Sequence, residues 1–290
     1  MSDHDHHHSG ENLKVAFFLN VGFTLLEIVG GFWTNSIAIM TDAVHDLGDS
    51  LSLGLAWYFD RISSKGATSR LTYGYRRYRL LGGLITGVVL LAGLGFVLWH
   101  SVARLREPAE VKVSGMLALA VIGVLFNGAA VLRVKKGTSL TERLVSWHLL
   151  EDMMGWVAVL IGAGIMAIWD VPIVDPLLSI GISLVVLWNV FRNLKKVMAV
   201  FLQTAPEGFD VEAFEREALA IPGVASMHHI HCWSIDGESH VFSAHVVLDE
   251  GGSDRLSIKE QVKSLLNREA FEHVTLEVEA FSESCDHREV

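Results

Sequence analysis

The apolar positions of this chain fall in blocks, and six of them reach or approach the ~20 residues a helix needs to cross a ~30 Å hydrocarbon core. They run Leu13–Trp33, Ile37–Phe59, Leu80–Val102, Val113–Leu132, Val145–Trp169 and Val174–Ala199. Each predicts a transmembrane helix, and the polar groups inside some of them suit helices that face a pathway. Past Thr204 the pattern changes. Asp210 predicts the cap of a helix through about Ile221, which Pro222-Gly223 breaks. Val224–Ile235 and Ser239–Leu248 read as strands joined at the turn dipeptide Asp236-Gly237. Arg255–Arg268 has helical spacing, and Val274–Phe281 alternates as a half-buried strand through Val274, Leu276, Val278 and Ala280. The tail is thus predicted as helix, strand, strand, helix, strand.

Three regions follow: a His-rich amino-terminal tail (1–12), a six-helix transmembrane domain (13–203) and a small α+β domain (204–290). Composition agrees, with 51% hydrophobic and 19% charged residues and a mean hydropathy of +0.38. The amino end does not read as a cleavable signal, because its acidic, His-rich lead runs into a block long enough to span. Lys and Arg set the orientation. Arg61, Lys65, Arg70, Arg76, Arg77 and Arg79 follow the second block, and Arg133, Lys135, Lys136 and Arg143 follow the fourth. The opposite loops hold only Arg104, Arg106 and Lys112. The basic loops are therefore expected in the cytoplasm, with both termini and the tail domain. A formal charge of −10, with much of the acid in the tail, argues against a nucleic-acid partner. Cys232 and Cys285 both lie in that tail, where a cytosolic setting makes each a buried thiol or a metal ligand rather than half of a disulfide.

The candidate chemistry is a repeated pair, histidine four residues ahead of aspartate: His45 with Asp49 in the second block, His148 with Asp152 in the fifth. At ~3.6 residues per turn each pair projects from one helix face. Ionisable groups at mid-bilayer cost roughly 2.5–3.5 kcal/mol each on insertion scales, so four of them call for a compensating partner. Two imidazoles and two carboxylates fill a tetrahedral shell of the kind Zn²⁺ accepts. Either pair alone reads equally well as buried polar packing; it is their doubling that points to metal. Asp42 shares the stripe of His45 and Asp49, as a ligand-orienting group or a group on the route to the site, whereas Asp46 and Glu151 are rotated away by ~100°. Asn20, Glu27 and Asn127 face the same cavity or serve helix packing. The tail adds His228, His229, His231 and Cys232 on one predicted strand, His240 and His245 on the next, and Cys285, Asp286 and His287 at its end. Strict alternation would send His228 and His229 to opposite faces of the sheet.

The run from Gly30-Gly31 through Ser36-Ile37-Ala38 to Thr41-Asp42-Ala43-Val44-His45-Asp46-Leu47-Gly48-Asp49 resembles the first two helices of the cation diffusion facilitators, particularly their zinc-transporting branch. Tyr73-Gly74-Tyr75, His148-Leu149-Leu150-Glu151-Asp152, Asp175-Pro176-Leu177-Leu178, Pro222-Gly223-Val224, His231-Cys232-Trp233 and Ser243-Ala244-His245-Val246 extend the likeness over most of the chain, from about Leu13 to Phe281. The resemblance implies an α-helical membrane protein with six transmembrane helices and a C-terminal α+β metallochaperone-like cytoplasmic domain. It further implies a homodimeric metal/proton antiporter in the lipid bilayer, its transport site at His45, Asp49, His148 and Asp152. Cytoplasmic zinc sites of the family map to His228 and His245, with His287 or Asp286 as the terminal contribution. Two departures stand out. Arg76-Arg77-Tyr78-Arg79 places Arg79 where the family usually has an acid, and Val134–Leu144 lacks the histidines many zinc members carry. The resemblance therefore brings no metal site to either loop. His4, Asp5, His6, His7 and His8 either gather cations near the entrance or have no role.

Imidazole has an unperturbed pKa of ~6.5, so His45 and His148 bind metal when neutral and take protons when it leaves. Metal and protons then compete, and alternating exposure lets an inward proton gradient drive the cation outward, as expected in a bacterial cell (inner) membrane. Zn²⁺ is the expected cargo, and in the tail it could also be a structural ion; Cd²⁺, Co²⁺ and Fe²⁺ suit the same atoms. The rival readings are a membrane zinc sensor without net transport and an intramembrane zinc hydrolase. The hydrolase would keep an open water position and a general base, yet only Glu151 offers one and no His-Glu-x-x-His pattern exists. The chain is not expected to be an enzyme.

Overall fold

The computed structural model describes residues 5–134, 140–250, 254–267 and 269–283, with side chains at 17–129, 131–132, 149–250, 254–267 and 269–283. Each apolar block becomes one long helix: α1 Asp5–Thr34, α2 Ile37–Ser63, α3 Tyr78–Arg106, α4 Val113–Val134, α5 Leu140–Trp169 and α6 Val174–Phe201. Among the described residues, Phe17–Thr34, Tyr78–Arg106, Leu149–Trp169 and Val174–Phe201 are long and apolar enough to cross a membrane, and Val113–Ala129 is a shorter apolar stretch. α2 has the length but not the composition, because Asp42, His45, Asp46, Asp49 and Asp60 interrupt it. α1 begins at Asp5 rather than near Leu13, running through Gly10 of the polar lead.

The chain forms two compact units, residues 1–58 with 82–193 and residues 59–81 with 194–290. In the first, Phe23 of α1, Ala38 and Ile39 of α2, Met116 and Ala120 of α4, and Trp156, Val159, Ala163 and Met166 of α5 form the buried core. Trp156 lies against Gly123, where an added Cβ would come within 2.1 Å of the indole. α2 is fixed at its start by α6. The buried Asp175 carboxylate accepts from Ser36 Oγ at 2.5 Å, Ile37 N at 2.8 Å and Ala38 N at 3.2 Å. The two amides are among the donors a helix N-terminus leaves without intrahelical partners. One turn on, the hydroxyls of Thr41 and Ser101 each meet that of Ser179, at 2.6 and 2.7 Å, tying α2, α3 and α6 together.

The second unit holds α7 Val211–Leu219, β1 Val224–Ser234, β2 His240–Leu248, α8 Arg255–Ser264 and β3 Phe271–Glu279. This is the predicted order, though α8 stops four residues early and β3 starts three residues earlier than the alternation suggested. Asp210 and Asp254 cap the two helices, accepting from Ala213 N and Ser257 N. The sheet order is β1-β2-β3, with β1/β2 antiparallel and β2/β3 parallel, so α8 is the crossover that a parallel pair needs. Phe214 and Ala218 of α7 and Ile258 and Val262 of α8 pack on Phe242, Ala244, Val246 and Leu248 of β2. Alternation then puts Ser243, His245 and Val247 on the other face of β2.

The pairing of β1 with β2 contains a bulge. His228 pairs with His245 and His231 with Ser243, so His229 and Ile230 together oppose Ala244. His229 takes φ of 50°, a left-handed conformation uncommon for a residue with a Cβ. The expectation that His228 and His229 point to opposite faces therefore fails, because the extra residue breaks the period of two. The rings of His228, His229 and His245 lie together, with centroids 5.0 to 5.3 Å apart.

The α2–α3 connection packs within this second unit. Arg76 Nη1 donates to Glu272 Oε2 at 2.6 Å and to Ser239 Oγ at 2.8 Å. Arg79 donates to Asp60 Oδ1 at 2.8 Å and Ser63 Oγ at 3.1 Å. The arginine that departs from the family pattern thus joins the end of α2 to the start of α3.

Candidate metal centres

In the helical unit, α2 and α5 bring His45, Asp49 and Asp152 together, one donor atom from each lying within 4.8 Å of the others. His45 Nε2 is 3.8 Å from Asp49 Oδ2 and 3.6 Å from Asp152 Oδ1. The i,i+4 spacing supplies the first contact and the packing of α5 against α2 the second. His148 lies on α5 one turn before Asp152, but its side chain is outside the described residues. A cavity of about 570 Å³ opens beside the cluster, with Asp42, His45, Glu151, Asp152 and Asn189 among largely apolar walls. Gly155 of α5 faces Asp42 so closely that a Cβ would sit 3.3 Å from Oδ1.

The other membrane polar groups divide. Asn20 Nδ2 donates to the Asp46 carbonyl at 3.3 Å and Ser50 Oγ at 3.1 Å, the helix-packing role. Glu27 is fully buried, its carboxyl group facing that of Asp46. Asp42 and Asp46 are also buried, at 3% and 6% exposure. Asn127 is buried with its Nδ2 unpartnered among the described residues.

The second cluster is His228, His245 and Glu279. His245 Nδ1 hydrogen-bonds Glu279 Oε1, which also lies 3.4 Å from His228 Nε2. Glu279 closes β3 and is only 3% exposed. Sequence reasoning missed it, placing the apolar neighbours Val278 and Ala280 on the buried side. An acid inside the last apolar residues of a strand was the available signal; its proximity to His245 depends on the parallel register, which pairs His245 with Glu277 and Val247 with Glu279. The expected terminal contributors Asp286 and His287 lie outside the described residues, as does Cys285. Cys232 points into the apolar core instead of this cluster, and burial raises its thiol above the ordinary value. The Arg76 guanidinium holds the Glu272 carboxyl below the usual carboxylate range, helped by Ser239.

Opposed His-Asp helices in an apolar helical unit, joined to a small sheet domain with a second His-carboxylate cluster, define a membrane carrier of cations. Residues 13–202 match the cation efflux transmembrane domain, and residues 206–281 match the cytoplasmic domain of cation efflux proteins, the ZT_dimer family. The chain belongs to the cation efflux family. It is 32% identical over 292 residues to the zinc transporter ZitB of Escherichia coli, covering 95% of this chain and 92% of that protein. It is 30% identical over 282 residues to the metal cation efflux system protein CzcD of Cupriavidus metallidurans, covering 95% and 89%. Over 293 residues it is 29% identical to the cadmium, cobalt and zinc/H(+)-K(+) antiporter of Bacillus subtilis, covering 97% and 93%. The protein is a multi-pass membrane transporter rather than an enzyme, and it assembles as a homodimer through its cytoplasmic domain.

Proposed function

We propose that this protein exports Zn²⁺ from the cytoplasm in exchange for protons, and that His45, Asp49, His148 and Asp152 bind the ion during transport. The observation that carries the reading is the convergence of His45 and Asp49 on α2 with Asp152 on α5. The names of the zinc-transporting and zinc/H(+) antiporting relatives support the ion and the exchange. His148 completes the set by its helical spacing from Asp152. Neutral imidazoles bind metal and protonated ones release it, so protons entering the site help the ion to leave. The distribution of Lys and Arg among the loops supports cytoplasmic termini and an inner-membrane location. In the cytoplasmic domain, His228, His245 and Glu279 hold a second Zn²⁺ as a structural ion.

Net exchange separates transport from sensing. Proteoliposomes containing a pH-sensitive dye should report proton movement opposite to Zn²⁺ movement, strictly dependent on added Zn²⁺. A protein that binds Zn²⁺ with no linked proton movement at any imposed gradient would contradict the antiport reading.

A further inference from the structure

Glu151 lies in the apolar span of α5, one residue before Asp152, and is exposed. Ionisable groups at such a depth face a water-filled space or a partner, because hydrocarbon solvates charge poorly. Here the space is the cavity of about 570 Å³ beside the proposed ion site. Its walls run from Leu150 to Ala158 on α5 and from Leu177 to Asn189 on α6, and α2 adds Asp42 and His45. The polar groups of this lining are unevenly placed. Glu151 and Asn189 stand where the two stretches lead toward basic residues, Arg143 on α5 and Arg192, Lys195 and Lys196 on α6. Asp42, His45 and Asp152 belong to the same cavity. Toward the α5–α6 connection the described lining is apolar, with Ala158 on one wall and Leu177 and Leu178 on the other. A hydrated divalent cation meets polar partners at the first end and none among the described residues at the second.

We propose that Glu151 and Asn189 form the cytoplasmic entry to the transport site, where the hydrated cation is gathered before the ligands of α2 and α5 replace its water. The inference rests on the transport reading of His45, Asp49 and Asp152, and on the orientation read from Lys and Arg, and extends both. Glu151 supplies charge. In a cleft with low-dielectric walls, a negative group raises the local concentration of cations and speeds their capture. Asn189 supplies an amide that hydrogen-bonds the ion's water shell without holding the ion itself. Neither residue has to touch the bare ion, so the pair governs how readily the site fills and not how fast the loaded carrier turns over.

The test measures initial Zn²⁺ flux against buffered free Zn²⁺ in vesicles that present the cytoplasmic face, with the full-length protein. Glu151→Gln removes the charge and keeps the shape. At low ionic strength it should raise KM at least ~4-fold with the maximal rate unchanged, the effect of one unit charge roughly 10 Å from a divalent ion in water. The difference should disappear near 1 M inert salt, where screening acts within ~3 Å. Glu151→Asp should restore the wild-type KM, and Asn189→Leu should raise KM at every salt concentration. An unchanged KM in both Glu151→Gln and Asn189→Leu, or a maximal rate lost with KM unchanged, would overturn the entry role. A wild type without flux would overturn the transport reading instead. Water in the cavity is tested separately in a chain carrying Cys232→Ala and Cys285→Ala. A charged, membrane-impermeant maleimide on the cytoplasmic face should label Asn189→Cys but not Leu184→Cys, which is 57% exposed yet outside the cavity lining. An unlabelled Asn189→Cys would overturn the water-filled entry even where flux is normal.

Discussion

In the proposed transport site, His45 is the imidazole donor beside the carboxylates of Asp49 and Asp152. An imidazole is a softer donor than a carboxylate, and its one nitrogen fixes a short, directed bond that suits a small tetrahedral ion. Exchanging it for another carboxylate hardens the site and loosens its geometry. His45→Asp is therefore expected to raise Cd²⁺ transport relative to Zn²⁺, measured as the ratio of initial fluxes in the same vesicles; an unchanged ratio would remove His45 from the selectivity determinants. Residue identities legible from spacing alone were His45, Asp49 and Asp152, which the structure draws within 4.8 Å of one another. Glu279 and the orientation of His229 were not legible. The first depends on a parallel strand pairing made across a helix. The second depends on a bulge between Met227 and Cys232, a stretch without the glycine that would have signalled it.

At the scale of elements, the six long helices were written in the hydrophobic blocks, because backbone groups in lipid must satisfy themselves within a helix. Their ends were less visible. α2 begins at Ile37 with its first amides held by Asp175, a residue 138 positions away from Ile37, so the cap belongs to tertiary structure. The contact of α4 with α5 is equally specific. Trp156 fills the space that Gly123 leaves, and Gly123→Ala would place a methyl group 2.1 Å from the indole. Overpacking of this kind typically costs about 1–3 kcal/mol. The variant should melt at a lower temperature than wild type in detergent, whereas Gly95→Ala, which meets nothing within 4 Å, should not. Equal melting of the two variants would contradict the close packing of α4 on α5. In the cytoplasmic domain the order of helices and strands followed from caps, turn residues and alternation, but the parallel placement of β3 did not.

At the scale of the whole molecule, two clusters of candidate ligands are joined in one chain: His45, Asp49 and Asp152 on two helices, and His228, His245 and Glu279 in the dimerising domain. The connection from α2 to α3 packs beside that cluster's domain through Arg76 and Glu272. Glu272 has its carboxyl held low by Arg76, so its contribution to stability is present above its unfolded pKa and lost as pH falls through the lower folded value. The melting difference between wild type and Glu272→Gln should therefore be constant near neutrality and shrink below about pH 4.3, the ordinary value for Glu. A difference that instead grew on acidification would assign the pair the wrong sign.

The most direct test of the account is Zn²⁺ flux in proteoliposomes under an imposed pH gradient, comparing wild type with His45→Ala and Asp152→Ala. The two residues belong to different helices and meet at 3.6 Å, so one site served by both predicts that either substitution abolishes gradient-driven flux. Flux that persisted in either variant would contradict a transport site shared by α2 and α5.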